Sequence, residues 1–191
     1  LGGSGLMMLG AIEYTINSAR EKVEWRACLS RLSSLGFIEY IGEDNGFPKY
    51  QLTEKDKEIA RLNVIAKLND IEKKIYNKSI ESELTHEQAI LVVAISKHET
   101  GNWTSELYKK NNNFGGIYNS KEQKFYSYES NEKGLQAFVN LLKNNYFGKG
   151  LDTIEEIGAK YCPVGAENDP TGVNQHWVPK VTQYYNNYLG K

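Results

Sequence analysis

The order of apolar and polar positions predicts a mainly helical chain with two short hairpins. The clearest signal is Ala89–Ile95, in which every residue is apolar. This run is too short to span a bilayer, so it predicts a helix that is buried on all sides. Thr85 and Gln88 have the spacing of a capping box, which starts the helix at His86, and Gly101 is placed to end it.

The residues after this helix predict a small hairpin and three more helices. Paired glycines after an Asn run indicate a tight turn where another segment approaches the backbone closely. The predicted elements are strands at Gly116–Tyr118 and Gln123–Tyr128, a helix capped by Ser130 or Asn131, a helix from a Thr153/Glu156 capping box to about Tyr161, and a final helix with Pro179 in its first turn.

A shift in composition near residue 60 indicates a separate module before this half. Its predicted elements are helices at Leu6–Asn17 and Glu21–Leu35, strands at Phe37–Ile41 and Lys49–Leu52 joined by a turn at residues 43–46, and then an amphipathic helix from Thr53 through Ile75. This last helix is expected to connect the two halves.

Composition is ordinary for a soluble protein of one good core or two small ones, with 191 residues, 40% hydrophobic, 25% charged and net charge −1. No stretch approaches 18 apolar residues, so no membrane span is expected. Cys28 and Cys162 are far apart and are expected to stay free, and no cluster has metal-ligand spacing, so no metal or other cofactor is predicted. The chain begins with Leu1, which favours an internal fragment or a tagged chain and makes the absence of a signal peptide uninformative.

Glu99 is the candidate with the most chemistry, because it lies at the end of the apolar helix and before a Gly, a Trp and an Asn-rich loop. Burial and the negative end of a helix both disfavour a charged carboxylate and raise its pKa. A carboxylic acid that is protonated near neutral pH can protonate a leaving-group oxygen. The alternative is a solvated residue at a helix end, paired with Lys97 or an exposed lysine.

Aromatic and amide side chains follow Glu99 closely. Trp103, Tyr118, Tyr126 and Tyr128 offer flat rings for sugars, and the asparagines at 111–113 offer both donors and acceptors. Most aromatic residues of the later helices are expected in the core, whereas Trp177 fits a core or a ligand contact equally well.

The motif order resembles the lysozyme-like glycan hydrolases of bacterial cell walls, in particular the N-acetylglucosaminidases of autolysins, flagellar muralytic proteins and phage tail or lysis proteins. Over about residues 83–189 the matching segments are E-T-G-x-W at Glu99, NNFGGIY, FYSYES, the helix GLQAFVNLL, TIEEIGAKYCP and a terminal WVPKV. Lytic transglycosylases are related and resemble the chain around the acid.

The resemblance implies roles for individual residues. Glu99 matches the catalytic acid, and Tyr161 matches a tyrosine that faces the acid across the cleft. The other matches, all implied substrate contacts, are Asn113, Phe114 and Gly115 in the loop on the cleft floor and Tyr126 or Tyr128 in the F-x-x-Y-x-S segment.

Two departures from the family pattern bear on mechanism. The hairpin is short and leaves only Glu122 at its tip and Glu129 beyond it as a second carboxylate, with Glu122 as the candidate. Two-carboxylate glycosidases place the second acid about 5–5.5 Å away for retention or about 6.5–9.5 Å away for inversion. Transglycosylases manage with one carboxylate and use a hydroxyl or N-acetyl group of the substrate. The family's Y-A-T-D-P segment is replaced by residues 161–170, an apparent insertion.

The first module resembles the end of a winged-helix domain in the line LSRLSSLGFIEYIGEDNGFPKYQLTEKDKEIA. Winged helices often bind DNA, but residues 1–60 hold seven basic and nine acidic side chains, a net charge of −2. Because phosphate contacts dominate DNA affinity, docking to a protein partner is the preferred interpretation and DNA binding the alternative.

Together these observations predict a mainly α (α+β) fold: a winged-helix-like module at residues 1–60, a connector helix at 61–82 and a lysozyme-like domain with a short hairpin at 83–191. The predicted function is hydrolysis of the peptidoglycan glycan strand, with action outside the cell, at the wall or on a phage virion. The alternatives are a lytic transglycosylase or muramidase with one catalytic Glu, and a non-catalytic protein that binds glycan or a partner.

Overall fold

A computed structural model describes residues 28–44, 47–166, 169 and 171–190. The chain divides into two compact units, Leu1–Ala66 and Lys67–Lys191. The three-part division predicted from the sequence, with boundaries at 60 and 82, stays a prediction. In the described ranges no helix has the length and apolar character of a membrane span.

The first unit contains a helix, a hairpin and a second helix. Residues 28–34 form α1, and a turn in which the Phe37 N–H donates to Leu32 O leads into the hairpin. Strand β1 (Ile38–Asp44) pairs antiparallel with β2 (Phe47–Leu52), with Ile38 opposite Leu52 and a bulge between Tyr40 and Gly42. Both predicted strands are therefore confirmed.

The winged-helix resemblance stays a prediction. The predicted helix Leu6–Asn17 and the first part of Glu21–Leu35 lie outside the described residues. Within them, the order of helix, two-stranded hairpin and helix follows the predicted sequence of elements.

The predicted continuous helix from Thr53 through Ile75 is wrong. The structure has two helices, α2 (Glu54–Lys67) and α3 (Asp70–Glu81), separated by Leu68 and Asn69. The Asn69 side chain accepts from the N–H groups of Ile71 and Glu72 at 3.0 Å, and the Glu72 carboxylate accepts from the Asn69 N–H at 2.9 Å. This capping box starts a new helix inside the apolar pattern.

Helix α4 (His86–Glu99) forms the centre of the second unit, and its residues Ala89–Ser96 are all buried. Its Thr85–Gln88 capping box is present as predicted. Helices α3 and α8 (Trp177–Leu189) pack against α4, α6 (Asn131–Asn145) packs against α3, and α7 (Ile154–Tyr161) packs against α8. The start of α8, at Trp177, meets the Glu99 end of α4.

The predicted capping residues of the later helices are confirmed. Ser130 caps α6, and Thr153 and Glu156 form the capping box of α7, which ends at Tyr161. Pro179 lies in the first turn of α8. Short helical segments complete the unit: α5 (Glu106–Asn111) and 3-10 turns at Phe147–Lys149 and Val173–His176.

The second hairpin is shorter than predicted. Its strands are β3 (Tyr118–Asn119) and β4 (Lys124–Phe125), with Tyr118 opposite Phe125. Beyond β4, the Tyr126 N–H donates to Ile117 O and the Tyr128 N–H to Asn111 O. These separate bonds, together with bonds from the Asn113 side chain, take the place of a regular ladder.

Candidate active site

Glu99 is the last residue of α4, at the point where the chain turns back on itself. Gly101, Asn102 and Trp103 all have left-handed backbone, with φ of 56°, 58° and 58°. The Asn102 N–H donates to Lys97 O at 2.7 Å, and the Trp103 N–H donates to Thr100 Oγ1 at 2.9 Å. These bonds end the helix sharply directly after Glu99.

The Glu99 carboxyl group has a neutral hydrogen-bond partner. The Trp177 indole N–H donates to Glu99 Oε1 at 2.6 Å. Burial raises the pKa of Glu99 to about 7, and the Trp177 hydrogen bond opposes that rise. The alternative in which Lys97 pairs with Glu99 is wrong, because the Lys97 ammonium lies 2.9 Å from Glu72 Oε1.

Tyr161, at the end of α7, lies in the surroundings of the acid. Its ring stacks on Trp177 with centroids 5.6 Å apart and planes at 27°, and its hydroxyl donates to Gly115 O. Burial raises the pKa of Tyr161 well above its usual value, and the charge of Glu99 adds to the rise. The phenol is therefore neutral at physiological pH and joins the loop at Gly115 to the ring that contacts Glu99.

The loop at residues 113–116 is held by one buried amide. The Asn113 Nδ2 donates to Ile117 O at 2.9 Å and to Tyr126 O at 3.0 Å. Its Oδ1 accepts from the N–H groups of Ile117 at 2.9 Å and Gly115 at 3.3 Å. Asn113 is 1% exposed, so its placement favours holding the loop and the base of the hairpin.

Two glycines bring this loop up to the acid. A Cβ on Gly115 would lie 2.3 Å from the Phe138 ring and 2.9 Å from the Tyr161 hydroxyl. A Cβ on Gly116, whose φ is +61°, would lie 3.1 Å from Glu99 Oε2. The backbone thus passes beside the second carboxyl oxygen without a side chain to cover it.

The predicted aromatic residues fall into two groups. Tyr118 and Tyr126 are 48% and 42% exposed, while Tyr128 is half-buried and stacks beside Tyr126 with centroids 6.0 Å apart. Gly116 lies beside Glu99, and Tyr118 follows it by two residues, so the Cα atoms of Gly116 and Tyr118 are at most about 7 Å apart. Tyr118 meets the exposed Phe125 ring edge to face at 5.2 Å, whereas Tyr126 and Tyr128 lie on the other face of the hairpin. The hairpin therefore presents aromatic rings on both faces.

Trp103 and Phe114 belong to the core. Trp103 is 6% exposed, its indole N–H donates to Ser96 Oγ at 3.2 Å, and Lys97 Nζ lies 5.6 Å from its ring centroid. Phe114 is 3% exposed and meets Tyr108 edge to face at 5.0 Å. Their placement favours a packing role that supports the loop.

The candidate second carboxylates lie on exposed surface. Glu122 is at the tip of the hairpin, 2.7 Å from Lys124 Nζ, and Glu129 pairs with Lys133. Another carboxylate, Asp169, is buried, but its oxygens accept from the N–H groups of Val173 at 2.8 Å and Asn174 at 2.9 Å. Each of these carboxylates therefore has a structural partner.

Sequence reasoning missed the partner of the acid. Trp177 fits a core or a ligand position from the sequence, and it is in fact buried with its N–H on Glu99. The signal available was the position of the Trp at the start of the last predicted helix, where an end of α8 can meet an end of α4. The role of Gly116 beside Oε2 left no separate signal.

A comparison with known protein families gives a match over the part of the chain that contains this site. The family model described as Glucosaminidase, mannosyl-glycoprotein endo-beta-N-acetylglucosaminidase, matches residues 75–190. This range takes in most of α3, all of α4, and the residues Gly116, Tyr161 and Trp177 around Glu99. No curated protein matches the chain.

Proposed function

The chain belongs to the glucosaminidase family and is a glycosidase that acts on cell-wall glycans, and from this we propose that it cleaves the peptidoglycan glycan strand as an N-acetylglucosaminidase. In this proposal Glu99 is the general acid. The observation that carries the proposal is the Glu99 carboxyl group, which is mostly buried at the end of α4 and hydrogen-bonded to an uncharged donor. An acid with a pKa of about 7 holds its proton under conditions where an exposed glutamate has lost it.

The proton leaves from Glu99 Oε2, because Oε1 accepts the indole N–H of Trp177. As the bond between the anomeric carbon and the glycosidic oxygen breaks, that oxygen takes the proton and departs as a hydroxyl group. Glu99 becomes a carboxylate, and the Trp177 N–H stabilises the charge that forms. A water molecule then completes hydrolysis at the anomeric carbon, and its proton restores the acid.

The exposed hairpin rings supply a surface for the sugar chain. Tyr118 follows Gly116 by two residues, and the Tyr126 N–H donates to Ile117 O, so both exposed tyrosines start from backbone close to Gly116. Flat rings bury the apolar faces of sugars and so contribute hydrophobic contact area. Extended contact along the hairpin would hold a strand with one linkage at Glu99.

A second outcome of the same site is lytic transglycosylation. It is favoured because Glu122 and Glu129 pair with lysines on exposed surface. The role of a second carboxylate would then fall to the substrate's own N-acetyl or hydroxyl group. Mass spectrometry of digested wall separates the outcomes. A reducing N-acetylglucosamine end supports the glucosaminidase, a reducing N-acetylmuramic acid end supports a muramidase, and an anhydro-muramic end supports the transglycosylase.

The proposal for the first unit is docking to a protein partner, with the enzyme acting outside the cell at the wall or on a phage virion. The acidic balance of residues 1–60, with a net charge of −2, supports a protein partner over DNA. Tight binding of the intact chain to duplex DNA in a gel shift at low salt would reverse this order.

Replacement of Glu99 by Gln tests the acid directly. Glu99→Gln keeps the shape and the acceptor for Trp177 but has no proton of suitable pKa to donate. We expect clearing of a cell-wall suspension to fall by at least about 100-fold, within the range typical of general acid catalysis. Glu87→Gln, on the exposed first turn of the same helix, is the matched control and should clear at the parent rate. Parent-like clearing by Glu99→Gln would refute the role of Glu99.

A further inference from the structure

We propose that Trp177 is the positioning residue of the acid: its indole N–H holds Glu99 Oε1 so that Oε2, beside Gly116, is the oxygen that carries the proton toward the substrate. This inference rests on the proposed role of Glu99 and adds a residue to it. Trp177 acts through Glu99 and needs no contact with the substrate.

The Trp177 ring is held on several sides. It is 2% exposed, it stacks on Tyr161 at 5.6 Å, and it meets the His98 ring edge to face at 6.2 Å. A Cβ on Gly158 of α7 would lie 3.1 Å from its outer edge. Close packing of this kind leaves the ring no room to turn, so the N–H keeps its direction toward Oε1.

The two carboxyl oxygens of Glu99 therefore differ. Oε1 accepts the short bond from Trp177 at 2.6 Å. Oε2 faces the backbone at Gly116, where the missing side chain leaves an approach. A half-turn of the neutral carboxyl group would place its hydroxyl oxygen, a weaker acceptor than the carbonyl oxygen, against the Trp177 N–H. Trp177 therefore favours the arrangement in which the oxygen beside Gly116 carries the proton.

Helix α8 contacts α4 at both of its ends. At its far end, the Tyr188 hydroxyl donates to Glu72 Oε1 at 2.5 Å, and Lys97 Nζ donates to Tyr188 at 3.1 Å. Lys97 lies two residues before Glu99 on α4. The same turn of α4 thus contacts α8 at its start through Glu99 and at its end through Lys97.

The bond also favours the product of proton transfer. An N–H binds a carboxylate more strongly than it binds a neutral acid, so Trp177 lowers the cost of releasing the proton. Loss of the N–H should raise the pKa of Glu99 further above its present value of about 7.

The other titratable groups around Glu99 do not obscure such a change. Tyr161, Tyr146 and Cys162 all have raised pKa values because of burial and the Glu99 charge, so they stay neutral where Glu99 titrates. His98, which contacts the Trp177 ring, has its pKa lowered by burial and by Lys180 on α8, so it is neutral there as well.

The first experiment compares Trp177→Phe with the parent. We expect turnover of cell wall to fall roughly tenfold or more, and the high-pH limb of the activity profile to move upward by about one pH unit. Carbon-13 NMR of the Glu99 carboxyl group should titrate with the same upward shift. Tyr188→Phe is the matched control, since it weakens the other end of α8 and should leave the pH limb in place. An unchanged Glu99 titration in Trp177→Phe would overturn the proposal.

A second measurement needs no change at Trp177. In the parent, the indole N–H resonance of Trp177 should titrate with Glu99, and in Glu99→Gln that titration should vanish. If the Trp177 indole N–H resonance of the parent does not change with pH near 7, the inference is also overturned. If Glu99→Gln stays active while both titrations behave as expected, the proposed acid role fails and the Trp177 bond stands, so the two failures are distinct.

Discussion

The Lys97 ammonium lies 2.9 Å from Glu72 Oε1, although Lys97 is only two residues from Glu99 on α4. It also lies 5.1 Å from the ring centroid of Tyr188 and 5.6 Å from that of Tyr184. Lys97, the lysine closest in sequence to Glu99, therefore forms its ion pair with Glu72. Glu99 keeps an uncharged partner in Trp177, and among the described residues no cation opposes the rise in its pKa that burial causes.

Glu99→Gln should stabilise the protein at high pH. The pKa of Glu99 is about 7 when folded and 4.5 without the fold, so between these values the unfolded chain ionises first and stability falls as pH rises. The variant removes this loss. We expect its free energy of unfolding to match the parent at pH 4 and to exceed it by up to about 3 kcal/mol at pH 8.

Denaturant unfolding followed by tryptophan fluorescence measures this difference at each pH. Glu87→Gln, in the exposed first turn of the same helix, should have the parent's free energy of unfolding at every pH. A Glu99→Gln variant that is less stable than the parent at pH 8 would mean that the folded protein favours the carboxylate, against the role of a neutral acid.

Glu72→Gln should have the opposite pH signature. Burial raises the pKa of Glu72, but hydrogen bonds from Tyr188, the Asn69 backbone and Lys97 outweigh burial and lower the pKa overall. A lowered pKa gives stability that is present above the unfolded value of 4.5 and is lost as pH falls through the folded value. Breaking such a buried pair costs about 3–5 kcal/mol, so the loss should be large at pH 7 and shrink in acid.

Glu81→Gln supplies the comparison for Glu72, because Glu81 pairs with Lys78 on exposed surface. Its cost should stay below about 1 kcal/mol. Equal costs for the two variants, measured by the same unfolding experiment, would show that the Glu72–Lys97 pair adds nothing beyond a surface ion pair.

Local patterns in the sequence predicted much of this fold. The apolar run, the capping box at Thr85 and the glycine after Glu99 predicted α4 and its end. They succeeded because caps and burial act over one helical turn or one element. The break at Asn69 was also local, yet the apolar pattern of α2 and α3 runs across it and concealed the capping box.

Partners across the fold were beyond these patterns. The choice of Lys97 between Glu72 and Glu99 depends on how α3 and α8 pack on α4, and the bond from Trp177 to Glu99 joins residues 78 positions apart. From the sequence alone, Trp103 and Tyr118 were equally good candidates for a ring that contacts sugar. Only packing separates them, since one is 6% and the other 48% exposed.

That separation predicts different consequences for the two aromatic residues. Tyr118→Ala should lower stability by no more than about 1 kcal/mol, because the ring is half exposed and its edge contact is with the exposed Phe125. It should reduce kcat/KM on cell wall by up to about tenfold, or about 1.4 kcal/mol, through loss of the proposed contact between the ring and the sugar chain. Trp103→Ala should instead destabilise the fold by about 3–5 kcal/mol, as for a buried aromatic residue.

Tyr40→Ala, which replaces an exposed tyrosine on the first hairpin, is the control and should clear a cell-wall suspension at the parent rate. A Tyr118→Ala variant with parent kcat/KM would remove the hairpin surface from the proposed glycan contact, whatever the outcome for Glu99.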